Sequence, residues 1–276
     1  MKKLILSAFC AVFALAAAAQ SPTAVDLSVT RHGPEKGHLI IIGGGVVPAE
    51  IWDRFVELAG GKDAKIVVVT NASGDAEDYH SDAIDAIAER IGRKNVTRLH
   101  LKDIDEANDP ARIRCIDEAS GIYFTGGRQW RISEVYLNTK AHRAFNALLA
   151  RGGVIAGSSA GASIQGSFLW RGDTRGYQYA VGDHTQGLGF MKLTVIDQHI
   201  LVRNRQHDLA PFIAAAPEFI GLGIDESTAV VVEGDSFEIL GPSYVAVHQA
   251  DREQFYLLRA GWKYDLKNHK PIFPSR

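Results

Sequence analysis

Ser159 stands at the centre of Gly157-Ser158-Ser159-Ala160-Gly161, with a glycine two residues away on each side. Small residues around a serine let the backbone take a strained turn that pushes Oγ clear of its neighbours, as a nucleophile requires. Ser158 fits the pattern less well, since only Ser159 has glycine at both flanking positions. A serine hydroxyl needs a base to take its proton and a third group to orient that base. Among ten histidines, His199 ends the strand-like run Val195-Ile196-Asp197-Gln198-His199 and is the leading candidate. His248, within Tyr244-Val245-Ala246-Val247-His248, is the weaker one. His80, His100, His142 and His269 have charged or polar neighbours, as surface residues do. Gly223-Ile224-Asp225-Glu226 supplies an acid, and spacing does not separate Asp225 from Glu226. A histidine base in a weakly perturbing environment titrates near 6.5.

These side chains need a scaffold that brings distant segments together. Leu39 to Ile42, Lys65 to Thr70, Val96 to Leu101, Ile122 to Thr125 and Val154 to Ala156 are short apolar runs that end in glycine, serine or polar residues. Helix-like segments lie between them, notably Ala76 to Ile91, where Ala83, Ile84, Ile87 and Ile91 recur at three- and four-residue steps. The alternation predicts an α/β fold with a mostly parallel sheet covered by helices on both faces. Ligands bind such sheets beyond the carboxyl ends of the strands, where Gly43-Gly44-Gly45, Gly126-Gly127 and Ser159 all fall. From about residue 190 the chain becomes strand-rich, through Met191 to Ile196, Thr228 to Val232, Phe237 to Leu240 and Tyr244 to His248. An antiparallel extension at the sheet edge is expected there. The backbone N-H of Ala160, next to the nucleophile, and that of Gly126 or Gly127 are candidate oxyanion donors.

Gly43-Gly44-Gly45, Phe124-Thr125-Gly126-Gly127-Arg128-Gln129, Gly157-Ser158-Ser159-Ala160-Gly161-Ala162, Asp197-Gln198-His199 with Arg203 and Arg205, and Gly223-Ile224-Asp225-Glu226-Ser227-Thr228-Ala229 occur in this order. Together they resemble the ordered motifs of cyanophycinase, over about residues 37 to 250. The resemblance implies a serine peptidase of the cyanophycinase and dipeptidase E group on a class I glutamine amidotransferase-like fold. It makes Ser159 the nucleophile, His199 the base and Glu226 the orienting acid. Gln129, Asp197, Gln198, Arg203 and Arg205 correspond to substrate-pocket residues, and the arginine forks suit the carboxylate of an aspartyl or isoaspartyl peptide. The order Ser, His, Glu differs from that of α/β-hydrolase esterases, where the acid precedes the histidine. The other readings are a non-catalytic peptide-binding protein on the same fold and a serine esterase using His248. Arg128, Ile200 and above all Asp208 depart from the family pattern, which has arginine at 208. Asp208 either lowers the charge of a cationic rim or pairs with Arg205 across an i,i+3 helical step.

Lys2 and Lys3 precede the apolar run Leu4 to Ala18, and alanines at 16 to 19 offer a signal-peptidase site. Residues 1–19 therefore read as a signal peptide and residues 20–276 as one catalytic domain, exported to the periplasm or medium and left with no stable membrane anchor. Cleavage leaves Cys115 as the only cysteine, which excludes an intramolecular disulfide. It also takes 30 basic residues to 28 against 32 acidic ones, a net charge of −4 that disfavours nucleic acid as a partner. No metal or cofactor signature is present, and three glycines at 43 to 45 are too simple for a dinucleotide fingerprint. A peptide is the expected partner, and oligomeric state is left open, a homodimer included. Intact mass of exported material should show an N-terminus at Gln20 or Ser21; a product that still begins at Met1 contradicts export.

Overall fold

Five strands, most of them fully buried, build the centre of the computed structural model, which describes residues 31–74, 81–252 and 254–274. The leader-like residues 1–19 and the first part of the expected helix, 76–80, lie outside the described residues. The central strands are β1 (His38–Ile42), β2 (Ile66–Val69), β3 (Val96–Leu99), β4 (Gly121–Phe124) and β5 (Val154–Ser158). They lie parallel in the order β1-β5-β4-β2-β3. The inner strands are covered on both faces and read as apolar runs rather than alternating ones, whereas the edge strand β3, Val-Thr-Arg-Leu, carries an exposed Thr97.

Successive residues of β1 serve opposite layers. Ile40 and Ile42 join a core with Trp52 and Phe55 of α1 (Ala49–Leu58) and with Ile84 and Ile87 of α2 (Asp82–Ile91). Ser81 is extended, so α2 starts at Asp82, six residues later than the apolar spacing predicts. Leu39 and Ile41 face the other layer. That layer holds α3 (Ile104–Asn108), α4 (Pro110–Glu118), α5 (Gln129–Tyr136) and α6 (Lys140–Ala150), with Ile116, Tyr136, Phe145 and Leu148 in the core. Local chemistry fixes these helix starts: Asp103, Asp109 and Thr139 accept the backbone N-H groups of Glu106, Ala111 and His142. The short α7 (Ala160–Ser163) follows β5 directly.

The C-terminal region corrects the sequence expectation. β6 (Gly166–Phe168), β7 (Met191–Gln198), β8 (Ile220–Ile224), β11 (Tyr244–His248) and β12 (Tyr256–Arg259) form a second sheet, ordered β12-β11-β8-β7-β6, with α8 (Ala210–Ala215) against its outer side. Only β9 (Ala229–Glu233), β10 (Ser236–Leu240), β13 (Lys263–Asp265) and β14 (Lys270–Ile272) extend the first sheet antiparallel beyond β1. Within the second sheet β6, β7 and β8 are parallel. Met191, Ile196, Leu222 and Val247 from this sheet share one core with Leu39, Phe124 and Ile155 from the first. The carboxyl ends of β7 and β8 thereby arrive at the carboxyl ends of β1 and β5.

Candidate active site

Close approach dictates the two glycines around the serine. A Cβ at Gly157 would lie 2.2 Å from the Gly161 carbonyl oxygen, and one at Gly161 would lie 2.1 Å from that of Phe124. Larger residues would push α7 off the sheet. Between them Ser159 takes φ 56° and ψ −108°, a strained conformation for a residue with a Cβ. The strand-turn-helix expected from the glycine spacing is present, with Ser159 at its apex.

Three consecutive carbonyls at the end of β1 then gather the site. Ile42 accepts the N-H of Ser159 at 3.0 Å, Gly43 that of His199 at 2.9 Å, and Gly44 that of Ser227 at 2.8 Å. His199 and Ser227 also have positive φ, 55° and 57°, so each strand end turns sharply into the site. Ser159 Oγ lies 2.8 Å from His199 Nε2, and His199 Nδ1 lies 2.5 Å from Glu226 Oε1. A carboxylate at Nδ1 keeps the ring proton there and leaves Nε2 free to accept one from the hydroxyl. Gly44 is at φ 110°, and a Cβ on it would lie 2.1 Å from His199 Cε1. The glycine run is thus the seat of the imidazole.

The neighbouring acid has other work. Asp225 Oδ1 accepts the N-H groups of Leu201 and Val202 at 2.9 and 3.2 Å, and Oδ2 accepts the Ser243 hydroxyl at 2.6 Å. It caps the turn that follows His199, while Glu226 points at the ring. His248 is elsewhere: it is buried, Nε2 donates to the Gln206 carbonyl at 3.1 Å, and the ring packs on Phe255. Burial pushes its pKa down to about 4. His142 is half-buried rather than on the surface, its Nε2 donating to the Leu188 carbonyl at 2.8 Å. Burial also lowers His199, helped by the positive charge of Arg203 and Arg205, while the hydrogen bond it donates to Glu226 acts in the opposite sense. Its acidity therefore departs from the ordinary histidine value.

Around the serine, a Cβ on Gly126 would sit 3.4 Å from Ser159 Cβ and 4.0 Å from Oγ. The amides of Gly126 and Gly127 have no acceptor among the described residues. Gln129 is buried with its amide donating to the Trp170 carbonyl at 2.8 Å, and Arg128 reaches the Asp173 carbonyl at 2.7 Å. Asp197 has no exposed surface; Trp170 Nε1 and the Arg171 guanidinium donate to it at 3.1 Å, so it anchors the wall rather than facing the cleft. Gln198 Oε1 and Arg205 Nη1 are buried without a hydrogen-bond partner among the described residues, and Arg205 Nη1 stands 4.0 Å from Asp197 Oδ1 as an ion pair. Arg203 and Arg205 both stand over the Tyr177 ring. Asp208 does not pair with Arg205 through its side chain: its carboxylate accepts from Arg171. Among the described residues no cluster of three or more His, Cys, Asp or Glu is arranged to hold a metal ion.

The family model of peptidase family S51 matches residues 39–240. The chain belongs to this family. It is 27% identical over 263 residues to the cyanophycinase of Geminocystis herdmanii, covering 86% of this chain and 96% of the relative. It is 30% identical over 220 residues to the cyanophycinase of Trichormus variabilis, covering 77% and 73%. The crystal structure of a peptidase from an acI-B1 Actinobacterium superposes with a TM-score of 0.61 at 22% identity, over 85% of this chain and 98% of the other, which shows a common fold. The chain is accordingly a serine peptidase of the cyanophycinase group, as its motif order led us to expect. Among the described residues of this S51 peptidase no helix is long and apolar enough to cross a membrane. Sequence reasoning missed Arg171 and Tyr177, which lie in a loop that carries no local signature.

Two outcomes follow for this S51 peptidase. If His199 must be neutral to act, its lowered pKa moves the acid limb of kcat/KM below pH 6.5, the ordinary histidine midpoint of about that value. Arg203→Gln removes a charge that opposes protonation and should shift that limb upward; an unchanged limb excludes His199 as the titrating group. Gly44→Ala should displace the imidazole and lower kcat by roughly 10²-fold, with the far-UV circular dichroism unchanged. Wild-type kcat in this variant would show that the glycine does not seat the ring.

Proposed function

We propose that the chain hydrolyses aspartyl or isoaspartyl peptides through acyl transfer to Ser159. The observation that carries this reading is the connected line from Ser159 Oγ to His199 Nε2, 2.8 Å, and from His199 Nδ1 to Glu226 Oε1, 2.5 Å. His199 takes the hydroxyl proton as Oγ attacks the peptide carbonyl carbon, then delivers it to the departing amine. Glu226 holds the Nδ1 proton and offsets the imidazolium charge. The carbonyl oxygen becomes an oxyanion received by the N-H of Ala160 and by Gly126 or Gly127, each such donor being worth roughly 2.7 to 4 kcal/mol of barrier. Water then attacks the acyl-enzyme with His199 again as base.

The substrate class rests on charge and on kinship. Arg205 presents a buried Nη1 that makes no hydrogen bond and only a long ion pair, 4.0 Å, with Asp197, and Arg203 adds a second cation. A carboxylate satisfies such a fork. Two of its relatives are cyanophycinases. Export is part of the proposal and rests on the leader-like residues 1–19 alone.

A fluorophosphonate probe should label the wild type and not Ser159→Ala. Ser159→Ala and His199→Ala should each lower turnover of an isoaspartyl dipeptide by roughly three to six orders of magnitude, since such groups act as a unit. Glu226→Gln should cost about 10²- to 10⁴-fold, because an amide holds the ring without offsetting its charge. Full activity in folded Ser159→Ala overturns the mechanism, and a larger loss in Asp225→Asn than in Glu226→Gln overturns the choice of acid.

A further inference from the structure

The loop between β6 and β7 runs as a strap from one side of the site to the other. At one flank Arg128 and Gln129 hold the carbonyls of Asp173 and Trp170. Its own strands are tied by the N-H of Arg171 on Ala180 and that of His184 on Gly172, both at 2.8 Å. At its tip Tyr177 is 54% exposed. The guanidinium groups of Arg203 and Arg205 stand 5.6 and 5.3 Å from its ring centroid.

Arg171 is the nail that fixes this strap. It is buried, and its guanidinium donates to Asp197, to the Tyr177 carbonyl at 3.1 Å and to the Asp208 carboxylate. Asp208 lies on the segment that follows His199, so the pair joins the strap to the histidine loop. An arginine at 208, the residue that the family pattern carries there, would repel Arg171 instead of holding it. We propose that Tyr177 forms one wall of the carboxylate pocket at Arg203 and Arg205, and that Asp208, acting through Arg171, is the positioning residue that keeps this wall in place. The inference rests on the peptidase reading above for its kinetic consequence, and on the strap geometry alone for its structural one.

The test is a double-mutant cycle read as separate kcat and KM values on an isoaspartyl dipeptide. Asp208→Ala and Tyr177→Ala should each raise KM by roughly 5- to 50-fold, the range of coupling within one contacting network, with kcat changed less than about threefold. Asp208→Asn, which keeps an acceptor for Arg171, should recover part of the loss. Because Asp208 acts through the tyrosine, the double variant should be no worse than Tyr177→Ala alone. Additive losses, or a fall in kcat at constant KM, overturn the proposal. Hydrogen exchange supplies a readout that needs no turnover: in Asp208→Ala the amides of Arg171 and His184 should exchange at least about tenfold faster, as for a locally opened segment. Unchanged protection overturns the proposal whatever the kinetics. If the wild type neither labels with the fluorophosphonate nor cleaves any peptide, the peptidase mechanism falls, and the exchange result still decides the strap.

Discussion

The carboxyl end of β1 is the constraint on which the rest of the site depends. The carbonyls of Ile42, Gly43 and Gly44 take the amides of Ser159, His199 and Ser227, which come from three different strand ends in two sheets. Backbone hydrogen bonds of this kind have narrow ranges of length and direction, so the three turns are placed by the main chain as well as by their side-chain contacts. Gly43 can serve only without a side chain, since a Cβ there would lie 2.1 Å from the Asp225 carbonyl oxygen. The second sheet is thus held to the first by main-chain bonds at the site as well as by the shared apolar core.

That arrangement accommodates strain. Ser159, His199 and Ser227 all have left-handed φ with side chains attached, and each such residue costs on the order of 1 to 3 kcal/mol. A single backbone hydrogen bond returns about 0.5 to 1.5 kcal/mol, so the turns persist only because the strands leading into them are locked by burial. β5, β7 and β8 have almost every residue buried, and Ile155, Ile196 and Leu222 have no exposed surface. The rigid strands over-determine the turns.

Charge is organised in two shells with opposite tasks. Arg171 bridges Asp197 and Asp208 under the wall, with Arg205 as a second, longer partner of Asp197, and removal of Arg171 would leave the fully buried Asp197 without its main counter-charge. Arg203 and Arg205 hold down the proton affinity of His199, while burial contributes the larger share. Glu226 opposes both and orients the ring, and the net effect leaves His199 below the ordinary histidine value.

Sequence alone determined what local physics encodes. Short apolar runs gave the inner strands of the parallel half of the first sheet, because burial on both faces favours that pattern. Glycine spacing gave the elbow at Ser159, because the close approach of Gly157 to the Gly161 carbonyl is made within the turn itself, although Gly161 also answers to the carbonyl of Phe124 on the neighbouring strand. Motif order gave the family. The tertiary structure decided what depends on contacts far apart in the chain. Asp225 and Glu226 are neighbours with the same chemistry, and only the turn at Ser227, held by Gly44, aims one at a cap and the other at the imidazole. The second sheet was missed because β6 has three residues and β8 carries two glycines, which weakens any strand signal. Arg171 and Asp208 are 37 residues apart, and no spacing rule joins them. Which carboxylate orients, which anchors and which positions is a matter of where the two sheets converge.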